Sequence, residues 1–209
     1  MTSSAHGLDQ LELAGNALCL DFANTVNARP TAQHDYLAGY ADLLAWSVYA
    51  GAFPASAVEP LQSWGSGPGA EAAVRDAHRL RDSVYAVFSA IAADRRPERS
   101  EVERLSTAYA GALANARIAT GAGSLPGDGG RAYELTWPVR ADQVTAPLWP
   151  VAHSAGELLL SGHLERVGEC PSCGWLFVDT SRNGTRRWCS MATCGSRDKM
   201  ARYHRRRRG

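Results

Sequence analysis

Four cysteines crowd the last forty residues of this 209-residue chain in two short pairs, Cys170-x2-Cys173 and Cys189-x4-Cys194, separated by fifteen residues. Zn²⁺ prefers four ligands in a tetrahedron, and two loops that each offer two thiolates supply them. Gly174 and Gly195 follow the second cysteine of each pair, and glycine can take a positive φ that turns backbone N–H groups toward sulfur. One Zn²⁺ with four thiolates carries a net −2, which Arg182, Arg186, Arg187 and Arg197 stand close enough in sequence to offset. Four unrelated reduced thiols, or two disulfides, form the competing reading. Paired spacing in a chain without an export signal favours metal. His163 and His204 could also donate a nitrogen, but both lie outside the paired spacing. With all four positions filled by protein, the ion is structural and keeps no open site for catalysis.

Between the pairs, Trp175-Leu-Phe177-Val-Asp179 reads as a strand burying Trp175 and Phe177, and Trp188 adds to the same small core. About forty residues cannot stabilise themselves by burial alone, whereas structural zinc contributes roughly 10–16 kcal/mol in small fingers. After Cys194 a helix can start beside the metal, carrying Arg197, Lys199, Arg202, Arg205 and Arg206. From Thr180 to Gly209 nine Arg and one Lys face Asp198 alone. That segment is +9, which leaves −8 for residues 1–179 of a chain whose total is +1. Such a basic end on an acidic body points to an anionic partner. Arginine neutralises phosphates and reads guanine edges in the major groove, so DNA is the expected partner. RNA, or docking on an acidic protein, would use the same surface.

The elements that must hold this module are mainly helical. Leu11 to Val26 reads as a strand or two ending in a polar turn at Asn24-Thr25. Leu37, Tyr40, Leu43, Leu44 and Val48 recur at helical steps, and Trp64 to Gly69 is a loop. The best helix spans Ala70 to Ala93, with Val74, Ala77, Leu80, Val84, Val87, Phe88 and Ile91 on its apolar side. Ser100 and Glu103 predict a capping box for the next helix. Arg117–Thr120 and Tyr133–Trp137 have strand character around a Gly-rich link, 121–130, and a last body helix begins near Pro150. No long linker precedes Cys170, so the module should pack on the body. No apolar run approaches the roughly 18 residues of a membrane span, and the N-terminus has no signal pattern, so a cytoplasmic location is expected.

Enzyme patterns are missing: no phosphate-binding Gly-rich motif, no His-Glu zinc-protease pattern, no G-x-S-x-G turn. Cys19 sits in apolar surroundings, as an inert core thiol does. The chain is therefore read as a non-enzyme. Its cysteine module, Cys170-Pro-Ser-Cys-Gly-Trp-Leu-Phe-Val-Asp179 with Arg187-Trp-Cys-Ser-Met191 and Cys194-Gly-Ser-Arg197, resembles the CGNR zinc finger. Ser196 stands where that family's tetrad has Asn, which leaves every ligand in place. Leu18-Cys-Leu-Asp21-Phe-Ala-Asn24-Thr25-Val-Asn-Ala-Arg29 is similar to the stress-induced transcription regulator domain that accompanies this finger.

The resemblance implies a bacterial transcription regulator. The expected architecture is α+β, with a mainly helical regulatory domain over 1–165 and a treble-clef or ribbon-like zinc finger over 166–209. Asp21, Asn24, Thr25 and Arg29 have two readings. They hold a strand-to-helix junction through local side-chain bonds, or they line a pocket for a small polar effector. A short site read by one finger also suggests a homodimer.

Overall fold

The computed structural model describes residues 7–27, 29, 34–120 and 133–208, and gives only the backbone of 202, 205, 206 and 208. The Gly-rich link 121–130 thus lies outside the described residues. Helix α1 (Leu18–Ala23) comes first, where strands were expected. Cys19, Leu20, Phe22 and Ala23 are all fully buried, so the segment carries no alternation that could separate helix from strand. Its first turn is closed from outside, Cys19 N–H donating to Ser154 Oγ at 3.1 Å. The two-residue strands β1 (Val26–Asn27) and β2 (His34–Asp35) then pair antiparallel, Val26 opposite Asp35.

Helix α2 (Tyr40–Tyr49) starts at Gly39, whose N–H reaches the Asp42 carboxylate at 2.9 Å. The short α3 (Ala55–Val58) and a 3₁₀ segment, Glu59–Trp64, lead to α4 (Pro68–Ala92). Pro68 suits a first turn, where its missing N–H costs nothing. Ala70, Ala73, Ala77, Leu80, Val84, Val87 and Phe88 then bury one face at helical steps over 25 residues, about 37 Å. Asp94 ends the helix at φ 53°, and Arg95 N–H bonds back to Ala90 C=O at 2.8 Å.

Helix α5 (Arg99–Ala114) opens without the expected capping box: Glu98 is its N-cap and makes no side-chain cap bond. The helix starts two residues too early for the box, so Ser100 is already in its first turn, and Glu103 pairs with Arg99 Nε at 2.7 Å. Strands β3 (Arg117–Thr120) and β4 (Tyr133–Thr136) form an antiparallel pair with Ile118 opposite Leu135. Helix α6 (Trp149–Leu160) follows, with Pro150 in its first turn.

The chain closes with β5 (Val167–Glu169), β6 (Leu176–Val178), one π turn at Met191–Gly195, and α7 (Ser196–Arg208). Leu176 pairs opposite Glu169 in the β5–β6 hairpin. The fold is α+β, and its core does not stop at the hairpin. Phe22, Trp46, Val84 and Phe88 belong to one buried cluster with Leu176 and Phe177. Leu176 and Phe177 are worth roughly 1.5–3 kcal/mol each by their burial, and the strand that carries them packs on α1 and α4 of the body.

Candidate metal centre and nucleic-acid interface

The β5–β6 hairpin carries Cys170 and Cys173 in its turn, while Cys189 precedes the π turn and Cys194 sits inside it. One ligand pair thus comes from a hairpin knuckle and the other from a helix start, an arrangement of the treble-clef kind. The four Sγ atoms lie within 4.8 Å of one another, and all four cysteines are buried. Cys173 to Cys189 is 3.5 Å and Cys189 to Cys194 is 3.6 Å. A tetrahedron with Zn–S of about 2.3 Å has sulfur–sulfur edges of about 3.8 Å, so the spacing fits zinc.

Charge gives a second fit. Hydrogen bonds from Cys173 and Cys189 hold the Cys170 thiol well below its ordinary range. In return Cys173 is pushed up to about 12 and Cys189 is raised as well, chiefly by those same bonds to Cys170. A divalent cation among the four sulfurs favours their thiolate forms. The residues fit one structural Zn²⁺. His163 is exposed beside Glu165 and takes no part.

Backbone geometry around the ligands is specific. Gly174 takes φ 74° and its N–H donates to Cys170 C=O at 2.8 Å. Gly195 differs from the expectation, since its φ is not in the left-handed region. Its lack of a side chain serves packing: a Cβ there would lie 2.7 Å from Met191 Sδ and 3.2 Å from Trp188 Cδ1.

A frame of polar bonds fastens this centre to the body. Arg29 N–H donates to Cys173 C=O at 3.0 Å, and the Trp175 indole donates to Val26 C=O at 2.9 Å. Glu169, next to Cys170, accepts from Tyr85 Oη at 2.9 Å and Ser89 Oγ at 2.6 Å, both on α4. Asp179 accepts the Ser181 and Arg186 N–H groups at 2.8 and 2.7 Å. Bonds from Ser181 and then Arg186 hold its carboxyl below the usual range. Glu169, Tyr85 and Ser89 are not visible as site residues in the sequence, because their partners lie 80 or more positions away.

Asp21, Asn24, Thr25 and Arg29 do come together, at the seam between body and finger. Asp21 Oδ1 accepts Gly15 N–H at 2.7 Å, and burial pushes its carboxyl up to about 6. Asn24 brackets Leu176, donating to its C=O at 2.9 Å and accepting its N–H at 2.8 Å. Thr25 Oγ1 donates to Phe22 C=O at 2.7 Å and accepts from buried Arg81, which also grips Asp35 at 2.6 and 2.7 Å. Arg29 donates to Ala23 C=O at 2.7 Å and lies 3.9 Å from the Tyr85 ring centroid. Each of the four bonds within the junction, while Arg29 Nε is buried there without a hydrogen-bond partner among the described residues. Cys19 is fully buried, and desolvation pushes its thiol up to about 12.

The expected nucleic-acid residues divide. Arg186 turns inward: it donates to the carbonyls of Trp188, Val178, Ala14 and Cys189, and its guanidinium lies 4.4 Å from the Phe177 ring centroid. Half-buried and with its N–H groups turned to those carbonyls, it is less free than its neighbours to meet an external anion. Arg182, Arg187, Arg197 and Lys199 are exposed, and Arg187 lies 5.1 Å over Trp188. The side chains of Arg202, Arg205 and Arg206 lie outside the described residues, although their backbone is in α7.

A mainly helical body locked onto a four-cysteine finger with a basic terminal helix defines a small α+β zinc-finger protein. Residues 16–162 match the ABATE family, described as "Putative stress-induced transcription regulator", and residues 166–207 match the CGNR zinc finger. The chain belongs to the ABATE family. No curated protein matched the sequence. Among the described residues no helix is long and apolar enough to cross a membrane.

Proposed function

We propose that the chain is a transcription regulator that binds DNA through its finger and α7. The observation that carries this reading is placement: α7 leaves the metal centre directly, one residue after the π turn that holds Cys194. A cationic helix of 13 residues, about 20 Å long, is thereby aimed by a rigid centre rather than trailing as a free tail. Exposed Arg182 and Arg187 extend the same charge from the other side of the ligand set. The zinc acts structurally, since four thiolates complete its shell. Phosphate contacts supply affinity in this scheme, and any base readout falls to the arginines of α7.

The test is fluorescence anisotropy of zinc-loaded protein on random duplex DNA over a salt series, with Arg205 to Arg208 replaced by Ala in parallel. Log K should fall with log salt by about 0.9 per neutralised phosphate, and the replacement should flatten the slope by up to about 3.6. Absence of binding at low salt by either protein would overturn the proposal. Stronger competition by RNA than by duplex DNA would move it to RNA.

A further inference from the structure

We infer that the cleft between α4, α5 and residues 145–152 is a binding site for an uncharged, mainly apolar small molecule. The cleft encloses about 770 Å³. Pockets for small organic ligands typically enclose about 300–1,000 Å³ and combine an apolar floor with a few polar groups. Here Leu80, Ala108, Leu148, Trp149 and Ala152 make the floor, and hydroxyls of Ser100 and Thr145 stand among the walls. No residue of the finger lines it. The inference therefore does not depend on the nucleic-acid reading.

Charge decides the class of occupant. The ionised side chains of the lining are Asp76, Arg79, Glu103 and Arg104, two of each sign. Each already has a partner inside the protein: Arg79 with Asp76, Glu103 with Arg99, and Arg104 with Glu101. Glu101 is further held by the Ser83 hydroxyl at 2.7 Å. The lining charges cancel and each is already paired, so the cleft offers an ion no net attraction, whereas a neutral molecule gains from covering the apolar floor.

The volume lies in the range of small organic ligands, and that is the occupant the apolar lining fits.

The space can be filled without touching the core. Gly111 of α5 lines the cleft, and a Cβ built there meets nothing within 4 Å. Gly111→Leu would project into the cleft while improving helix propensity. Thr107→Phe, at an exposed lining position, blocks it independently.

The experiment titrates zinc-loaded full-length protein with N-phenyl-1-naphthylamine, an uncharged fluorescent probe, and with 1-anilinonaphthalene-8-sulfonate, the same skeleton bearing an anion. The neutral probe should bind saturably at one site and at least tenfold more tightly than the sulfonate. Gly111→Leu and Thr107→Phe should each weaken it at least tenfold, with thermal midpoints unchanged or raised. Hydrogen exchange of the native protein should slow in 99–115 and 145–152 when the probe is bound, a readout that needs no variant. No saturable binding, protection confined to other segments, or undiminished binding in a folded variant would overturn the site. Equal or tighter binding of the sulfonate would overturn the uncharged class.

Discussion

Replacing Asn24 by Ala should destabilise the whole protein, not the finger alone. Asn24 is 1% exposed, and its amide makes both of its bonds to the Leu176 backbone, at 2.9 and 2.8 Å. Alanine leaves a buried N–H and a buried C=O without partners, in a strand that cannot reach water without leaving the core. Each such group costs roughly 1–3 kcal/mol, so the loss is about 2–6 kcal/mol. That is a large share of the 5–15 kcal/mol typical of a domain. Asn24→Asp should move the same way: the carboxylate can still accept Leu176 N–H, but it sets an anion against the Leu176 carbonyl. Urea unfolding of zinc-loaded protein at pH 7 measures the loss through tryptophan fluorescence, since the six tryptophans are spread over body and finger. A chromophoric chelator in competition measures zinc affinity, which should fall in parallel, because β6 carries both the clamp and one side of the ligand turn. A loss below about 0.5 kcal/mol, the range of ordinary surface substitutions, with unaltered zinc affinity would refute the shared-core argument.

Three further outcomes follow from the same geometry. Removing zinc with a strong chelator should unfold body and finger in one transition, because the roughly 10–16 kcal/mol of a structural site rivals total stability; near-native circular dichroism in the apo protein would count against it. The raised carboxyl of Asp21 should make stability fall as pH rises from about 4 to about 6, because the folded state holds a proton that the unfolded chain, with its carboxyl near 3.8, releases. The full shift corresponds to something on the order of 3 kcal/mol, and Asp21→Asn should flatten that stretch of the pH–stability curve while keeping the Gly15 bond. Gly156→Ala should cost about 1–3 kcal/mol in thermal or urea unfolding, since a methyl group there overlaps the Tyr109 ring between α6 and α5; an unchanged midpoint would show that the ring moves freely.

The metal ligands were legible because their chemistry is local: two thiols within one turn can be read as a pair wherever they fall. The long helices were legible for a similar reason, since α4 repeats its apolar step over seven turns. Helix α1 was not, because a six-residue segment with five consecutive buried residues looks the same for helix and strand. The capping box at Ser100 failed because Glu98 takes the N-cap position and Ser100 already lies in the first turn. The clamps at the seam were illegible for a third reason. Asn24 and Leu176 are 152 positions apart, and neither residue type announces a long-range bond. The sequence could say that Asn24 makes a side-chain bond to backbone, but not to which backbone.

Arg186 and Arg187 show why charge counts alone misplace an interface. Both are arginines in the same loop, three and two residues before Cys189. Arg186 is folded under the loop, with carbonyls of β6, the ligand turn and the segment before α1 around it, so it braces Cys189. Arg187 lies outside, over the face of Trp188. The cationic surface of the finger is therefore smaller than its +9 suggests. What remains is divided between the loop at Arg182 and Arg187 and the helix that begins at Ser196. Cys189 and Cys194 join those two parts through a single metal position. A metal held by both cysteines would tie the loop to the helix start, so chelation should loosen both groups of positive charge along with the fold.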